Sequence, residues 1–211
     1  MFHRLAFWKT KGMNPSVIYD IGANDGSWTR SAKSVFPTAR YEEFEANSQH
    51  AKEGRHMVLL GETTKEVPFY KATTPGSNTG ASVYLEVTPH YTPGTYTVET
   101  LPMVPLDEYA ARMNLPAPDF LKLDVQGAEL DVLRGAERTL QTTRYIAMEV
   151  SLHRWNKDAP MIEEVFAYMA SRGFECIDIL DTHNVHNYLF QIDVLFAHRS
   201  TGLRKEDFYE R

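Results

Sequence analysis

The segment Val17-Ile18-Tyr19-Asp20-Ile21-Gly22-Ala23-Asn24-Asp25-Gly26 constrains the fold of this chain more than any other. An apolar run bounded by glycines is the pattern of a buried strand, and Ser27 onward has helical character. Gly22 and Gly26 therefore fall in a strand-to-helix turn where a ligand can approach bare backbone. Such a turn cradles nucleotide-type ligands. A second strand-like run, Arg40 to Phe44, leads into Glu45, a carboxylate beside the first turn if the two strands are parallel neighbours. An ionised glutamate only accepts hydrogen bonds, so its natural partner is a ribose diol, which offers two donors side by side.

The 211 residues, 43% hydrophobic and 24% charged, suit one soluble domain (1–211) with a substantial core. A formal net charge of −6 argues against a broad phosphate-binding surface, so nucleic acid is not an expected partner. No stretch approaches the roughly 20 apolar residues that span a bilayer, and Met1 to Pro15 lacks the apolar middle of a secretory signal. No stable membrane insertion is expected. A single cysteine, Cys176, excludes an internal disulfide and fits a reducing, cytoplasmic location. Its plain reading is a small hydrophobe in a strand.

Along the chain, Phe2, Leu5, Ala6, Phe7 and Trp8 predict a short lead-in helix within residues 1–15, packed on the domain. The basic residues around it keep a membrane or partner contact open as an alternative. A helix is predicted from Ser27 to Val35, closed by Pro37, and a second from Asn47 to Glu53, closed by Gly54. Met57 to Leu60 supplies a third buried strand, completing two consecutive βαβ units with helices on both sheet faces.

Val67 to Lys71 and Tyr96 to Val104 then alternate like exposed antiparallel strands, forming a β-hairpin insertion within residues 63–105. Between them Thr73 to Thr95 is rich in Thr, Pro and Gly, either a solvent-facing loop or part of a ligand site. Asp119 to Val125 predicts a strand ending in Asp124, Ala128 to Leu140 a helix, and Tyr145 to Val150 a strand ending near Glu149. Pro160 to Ser171 predicts a helix stopped by Gly173. Phe174 to Leu180 and Leu189 to Ala197 predict strands joined by a polar loop, Asp181 to Tyr188. That loop is too short for a crossover helix, so these strands are antiparallel. The expected fold is α/β, doubly wound and Rossmann-like, with a mostly parallel seven-stranded sheet ending in an antiparallel strand.

A parallel sheet finished by an antiparallel hairpin strand is the build of class I S-adenosylmethionine-dependent methyltransferases. The blocks Asp20-Ile-Gly22-Ala-Asn24-Asp-Gly26, Phe44-Glu45, Ser77-Asn78-Thr79-Gly80, Leu121-Lys122-Leu-Asp124-Val-Gln126-Gly127-Ala-Glu129, Ile146-Ala-Met-Glu149 and Gln191-Ile-Asp193-Val-Leu-Phe196 resemble, in order, those of the FkbM family. The resemblance runs from about Val17 to Phe196. It implies S-adenosylmethionine as cofactor, its methionine part lying along Gly22 and Gly26 with helix amides from Ser27 onward facing the carboxylate. Asp20 would fix the turn and face the amino group. Glu45 would take both ribose hydroxyls, while Phe44 and Leu60 to Glu62, including Gly61, border the adenine. Asn24, Asn78, Asp124 and Gln126 complete the implied cofactor set.

FkbM relatives act on hydroxyl groups of sugars or secondary metabolites, which implies O-methylation of a small-molecule or glycan acceptor. Asp124, Glu149 and His153 are the implied catalytic residues. Asp124 ends the strand opposite the cofactor's sulfur in this fold, and His153 is the preferred general base because its unperturbed pKa is nearest the working range. His183 and His186 are secondary candidates. Lys122, alternating with Asp124, is expected to pair with a carboxylate, and Glu129 is either an active-site group or a helix N-terminal carboxylate. Asp124 and Glu149 could offer oxygen ligands to Mg²⁺, but no compact ligand cluster shows, so no metal site is assigned and Mg²⁺ is left open. A homodimer is also left open. Two other readings stand beside this one. A nicotinamide dehydrogenase would want three glycines where Asn24 interrupts, and a cofactor-binding module without catalysis would use the acidic residues only for solubility.

Overall fold

The computed structural model describes residues 1–73, 80–88 and 91–204. The chain runs through α1 (Phe2–Thr10), β1 (Val17–Ile21), α2 (Ser27–Val35), β2 (Arg40–Glu45), β3 (His56–Met57), β4 (Leu59–Leu60), β5 (Lys65–Ala72) and β6 (Tyr96–Val104). It continues through α3 (Leu106–Arg112), β7 (Phe120–Leu123), α4 (Glu129–Arg134), β8 (Tyr145–Ser151), α5 (Ile162–Ser171), β9 (Phe174–Val185) and β10 (Tyr188–His198). The main sheet has seven strands in the order β3-β2-β1-β7-β8-β10-β9. Pairing is parallel from β3 through β8, and β10 runs antiparallel to both β8 and β9. This is the doubly wound, mostly parallel α/β sheet expected, with its reversed strand at β10.

Helices cover both faces, so the central strands read as continuous apolar runs. Alternation within each strand then divides the core. Tyr19, Ile21, Leu121, Leu123, Ile146 and Met148 enter one buried cluster with residues of α3, α4 and α5. Ile18, Phe120, Tyr145, Ala147 and Leu195 enter another with Leu5 of α1 and Trp28, Ala32 and Val35 of α2. The lead-in helix packs on the domain as expected. Leu5 is fully buried, and Arg4 grips Asp178 of β9 with two hydrogen bonds of 2.7 and 2.8 Å while Trp8 Nε1 donates to the same carboxylate at 2.6 Å. Among the described residues no helix is long and apolar enough to cross a membrane.

The hairpin insertion is present: β5 pairs antiparallel with β6, and β4 adds to β6 in parallel, making a separate three-stranded sheet. The predicted strand Met57 to Leu60 is thus two strands in two sheets, hinged at Val58, whose amide donates to the Glu45 carbonyl at 2.9 Å. Four other boundaries move. The segment Asn47 to Glu53 is no helix beyond a single 3₁₀ turn at Ser48–His50, because Arg55 draws the His50 carbonyl onto its guanidinium at 2.7 Å and ends the turn. The helix expected over Ala128 to Leu140 stops at Arg134. Gly135 lies where a Cβ would stand 2.0 Å from the Gly61 carbonyl oxygen, so the chain passes too close to β4 for a continuing helix. Residues 106–112, unassigned in the sequence reading, form α3. The polar loop Asp181 to Tyr188 is mostly strand, closed by a two-residue turn with positive φ at His186 and Asn187, of the type that matches strand twist.

Candidate active site

A cleft of about 750 Å³, counting its open mouth, lies at the carboxyl ends of β1, β2 and β7, the position where open α/β sheets bind ligands. Its floor is the turn after β1. The amides of Gly22 and Ala23 both donate to the Phe44 carbonyl at 3.0 Å, and the Asp124 amide donates to the Ile21 carbonyl at 3.0 Å, so three strand ends are tied at one point. Gly22 is required there for a specific reason. At φ +78° an added Cβ would stand 1.9 Å from the Asp124 carbonyl oxygen.

Glu45 forms one wall and is nearly buried. One carboxylate oxygen accepts from the Asn24 amide at 2.7 Å and the other from the Asn47 amide at 2.8 Å. A carboxylate has about four lone-pair positions, so each oxygen keeps acceptor capacity beyond its amide. The amides fix the group in place, which is the preorganisation a diol needs. Arg55 locks the same loop from behind, donating to the Asn24 and His50 carbonyls and, at 2.6 and 3.0 Å, to Glu43.

The insertion supplies the facing wall. Phe69, Gly80, Ala81, Ser82 and Val83 line the cleft, and Ser82 Oγ donates to the Gln126 carbonyl at 2.8 Å. The segment is tied down further along, where Val87 N donates to the Trp155 carbonyl at 2.7 Å and Lys157 N to the Leu85 carbonyl at 2.8 Å. Of the two readings of the Thr73–Thr95 stretch, its described part thus fits the one that forms a cavity wall.

The predicted residues divide into those the structure gathers and those it does not. Gly22, Asn24, Phe44, Glu45, Asp124 and Gln126 all line the cleft. Gly26 does not. At φ +79° it heads α2, with Lys52 Nζ and Arg55 Nη2 each 2.9 Å from where a Cβ would stand. The first helix amide, Ser27 N, is already taken by Asp25 at 2.8 Å, and the Ser27 hydroxyl together with this amide pulls the Asp25 carboxyl down to about 2. Asp20 is fully buried behind the turn, not in the cleft. Its Oδ2 accepts from Thr29 Oγ1 at 2.6 Å, and its Oδ1 faces Lys122 Nζ at 3.0 Å as an ion pair without hydrogen-bond directionality. Gly61 packs against Met103 and Gly135 instead of the cleft. Asn78 lies outside the described residues. Asn47, His50 and Ser82 line the cleft unforeseen. Of these only Asn47, a cap-type residue two positions after Glu45, carried a local signal.

The catalytic candidates also divide. Asp124 Oδ1 accepts from Gln126 Nε2 at 2.8 Å, and the same amide reaches Glu149 Oε2 at 3.4 Å, so one glutamine bridges the two carboxylates. Gln191 Nε2 donates to Glu149 at 2.8 Å. Burial, with Asp124, Glu129 and Asp193 nearby, holds the Glu149 carboxyl well above the usual range. Gln126 carries this contact from φ +56°, a strained conformation for a side-chain-bearing residue at a candidate site. Lys122 pairs with carboxylates as expected, at 3.0 Å to Asp20 and 3.5 Å to Asp124, and also donates to the Gly22 carbonyl at 3.0 Å. Burial alone would lower its pKa, but those two carboxylates outweigh it and raise it. Glu129 takes the helix-terminus alternative, accepting from the Val125 and Gly127 amides at 2.9 and 3.3 Å.

His153 is not gathered into this group. It is exposed, its ring stacked parallel on Phe190 with centroids 6.4 Å apart, and it lines neither this cleft nor the cavity beside Glu149, because the chain after Ser151 turns outward to meet the insertion. Among the described residues no group of three or more His, Cys, Asp or Glu is arranged to hold a metal ion.

A family model for the methyltransferase FkbM domain matches residues 20–176. The 2-O-methyltransferase NoeI of Sinorhizobium fredii (strain NBRC 101917 / NGR234) is 29% identical over 157 residues, covering 64% of this chain and 63% of that protein. The chain thus spans somewhat less than two thirds of this curated relative. Among solved structures, methyltransferase FkbM from Methylobacillus flagellatus KT superposes with a TM-score of 0.53 at 17% identity over 88% of this chain and 44% of the other. Magnesium protoporphyrin IX methyltransferase (ChlM) from Synechocystis PCC 6803, solved with bound SAH, superposes at 0.50 with 9% identity over 93% and 80%. These structural likenesses bear on the fold. With a family model matching well over half its length, the chain belongs to the methyltransferase FkbM family.

Proposed function

We propose that this chain is an S-adenosylmethionine-dependent O-methyltransferase acting on a hydroxyl of a sugar or secondary metabolite. The observation that carries the reading is Glu45: a nearly buried carboxylate, held by two backbone amides at the strand end where α/β folds bind nucleosides, with acceptor capacity left for a diol. The relative named as a 2-O-methyltransferase supports oxygen as the atom methylated. The residues present fit the cofactor. Glu45 would hold the ribose, the Gly22–Asn24 turn the methionine part, and the apolar rim at Phe44, Leu59 and Leu60 the adenine.

When bound, S-adenosylmethionine supplies a methyl group already activated by the positive sulfur, so alignment and proton removal are the tasks left to the protein. Asp124 lines both this cleft and a second cavity beside it, which supports a role for it next to the transferred methyl group. Glu149 and Gln126 restrict its rotation through the glutamine bridge.

The test is transfer of labelled methyl from S-adenosylmethionine to a panel of sugars, polyketides and phenols, with the product located by NMR. The expected result is an O-methyl ether on at least one acceptor. Label found on nitrogen or carbon, or on no acceptor by a chain that binds S-adenosylhomocysteine, contradicts the assignment.

A further inference from the structure

The second cavity, about 400 Å³ with its mouth, opens on the sheet face covered by α1 and α2. Strand register explains its lining. Asp20 pairs with Lys122, and Glu149 pairs with Asp193, which in turn pairs with Asp181. Paired residues share a face, so just beyond the apolar layer of Ile18, Phe120, Tyr145 and Leu195 the same side of the sheet carries a row of charged groups. Trp28 roofs this row, and Asp124 is the residue common to it and the cofactor cleft. At its far side His183 Nε2 lies 3.0 Å from Asp193 Oδ2.

We infer that this cavity receives the acceptor, that the acceptor is an uncharged polyhydroxyl compound, and that His183, oriented by Asp193, takes its proton. The inference rests on the methyltransferase reading and extends it to the second substrate.

The charge of the acceptor follows from the walls. Asp124, Glu149 and Asp193 all line the cavity, while the Lys122 ammonium beside them is committed to Asp20, to Asp124 and to the Gly22 carbonyl. A phosphate or carboxylate would add negative charge to a wall whose ammonium is already shared between Asp20 and Asp124, whereas hydroxyl groups would find acceptors for their protons. The role of His183 follows from tautomer chemistry. An ionised aspartate only accepts, so Nε2 carries the ring proton and Nδ1 keeps its lone pair. As the bond from acceptor oxygen to methyl carbon forms and the bond from methyl carbon to sulfur breaks, sulfur keeps the bonding pair and loses its charge. The hydroxyl proton passes to Nδ1, and the imidazolium formed is stabilised by Asp193. The charged groups around this ring and along the cavity it shares are Asp193 on β10, Asp181 on β9, Glu149 on β8, Lys122 on β7 with Asp124 just after it, and the Met1 amino group, which pairs with Asp181 at 3.1 Å. His183 is thus the histidine that borders a cavity with Asp124 and Glu149, in place of His153.

Three readouts test this on the full chain. Calorimetry with S-adenosylhomocysteine should give the same affinity, within about twofold, for wild type, His183→Gln and Asp193→Asn, because neither residue borders the cofactor cleft. Wild-type failure to bind defeats the underlying cofactor reading instead. In methyl transfer to methyl glycosides, His183→Gln should lower kcat by about 100-fold or more with little change in KM, and should abolish the acid limb of the wild-type pH–rate profile. Asp193→Asn should shift that limb, and Asp193→Glu restore it. Neutral glycosides should be methylated in preference to sugar phosphates and uronic acids. Where turnover is too slow to measure, the His183 imidazole resonances of the S-adenosylhomocysteine complex should shift on titration with neutral methyl glycosides and not with sugar phosphates. A His183→Gln enzyme that keeps its acid limb and rate within about threefold overturns the inference. Resonances that respond to no neutral glycoside overturn it equally.

Discussion

At the scale of single residues, the site depends on close approach more than on added groups. Gly22 holds β1 against the Asp124 backbone at a separation no side chain allows, and the same contact brings the Asp124 carboxylate to the cleft. Gly22→Ala should therefore cost at least about 3 kcal/mol, combining the penalty of a side chain at positive φ with backbone displacement. That corresponds to a fall in Tm of about 6–12 °C for a chain of this size, read by thermal denaturation. An unchanged Tm would mean the turn relaxes freely and that the strand ends are not locked. The residue types that line the cleft were legible in the sequence where chemistry restricts the choice. Glu45 was readable because an acid ending a strand beside a glycine turn has few other roles, and Lys122 because its alternation with Asp124 fixed the face. Asp20 was misplaced because the same pattern cannot tell a carboxylate in the cleft from one behind it. That distinction lies in Thr29 and Lys122, which close over Asp20 only in three dimensions.

At the scale of elements, α4 begins with a buried acid that serves its own terminus. Glu129 accepts from the Val125 and Gly127 amides, yet burial pushes its carboxyl up to about 7 from an ordinary 4.5. The folded chain therefore binds a proton that the unfolded chain releases between those values. Stability falls as pH rises through this window, and the cost is fully present above about pH 7. Glu129→Gln keeps an acceptor for both amides and removes the ionisation. Its unfolding free energy from urea titration should match wild type near pH 4.5 and exceed it at pH 8, by on the order of 2 kcal/mol. A difference independent of pH would show that Glu129 does not titrate in this range. Elements were legible where burial on both faces produced apolar runs, as in β1, β7 and β8. They were not where packing overrode local pattern. Asn47 and Gly54 look like the ends of a helix, but the guanidinium of Arg55 claims the carbonyls between. The outer ends of β9 and β10 look like a loop because an edge hairpin exposed to solvent has no apolar face to alternate. That misreading left His183 a secondary candidate behind His153.

At the scale of the molecule, two cavities open at the same edge of one sheet, on opposite sides of Asp124. The hairpin insertion closes the first, and α1 with α2 roofs the second. The order of strands follows from right-handed crossovers and needs no special residues, which is why the architecture could be anticipated from spacing alone. The insertion's wall of the first cavity, at Gly80, Ala81, Ser82 and Val83, belongs to a segment of no regular pattern, so it was the least readable part of the site. Binding of S-adenosylhomocysteine to wild type and to Glu45→Gln, measured by isothermal calorimetry, decides whether the first cavity is the cofactor site. The account predicts a saturable one-to-one association in wild type, weakened about 10- to 100-fold by the substitution, in keeping with the loss of hydrogen bonds to a charged acceptor. No association in wild type, or equal affinity in the two proteins, would contradict it.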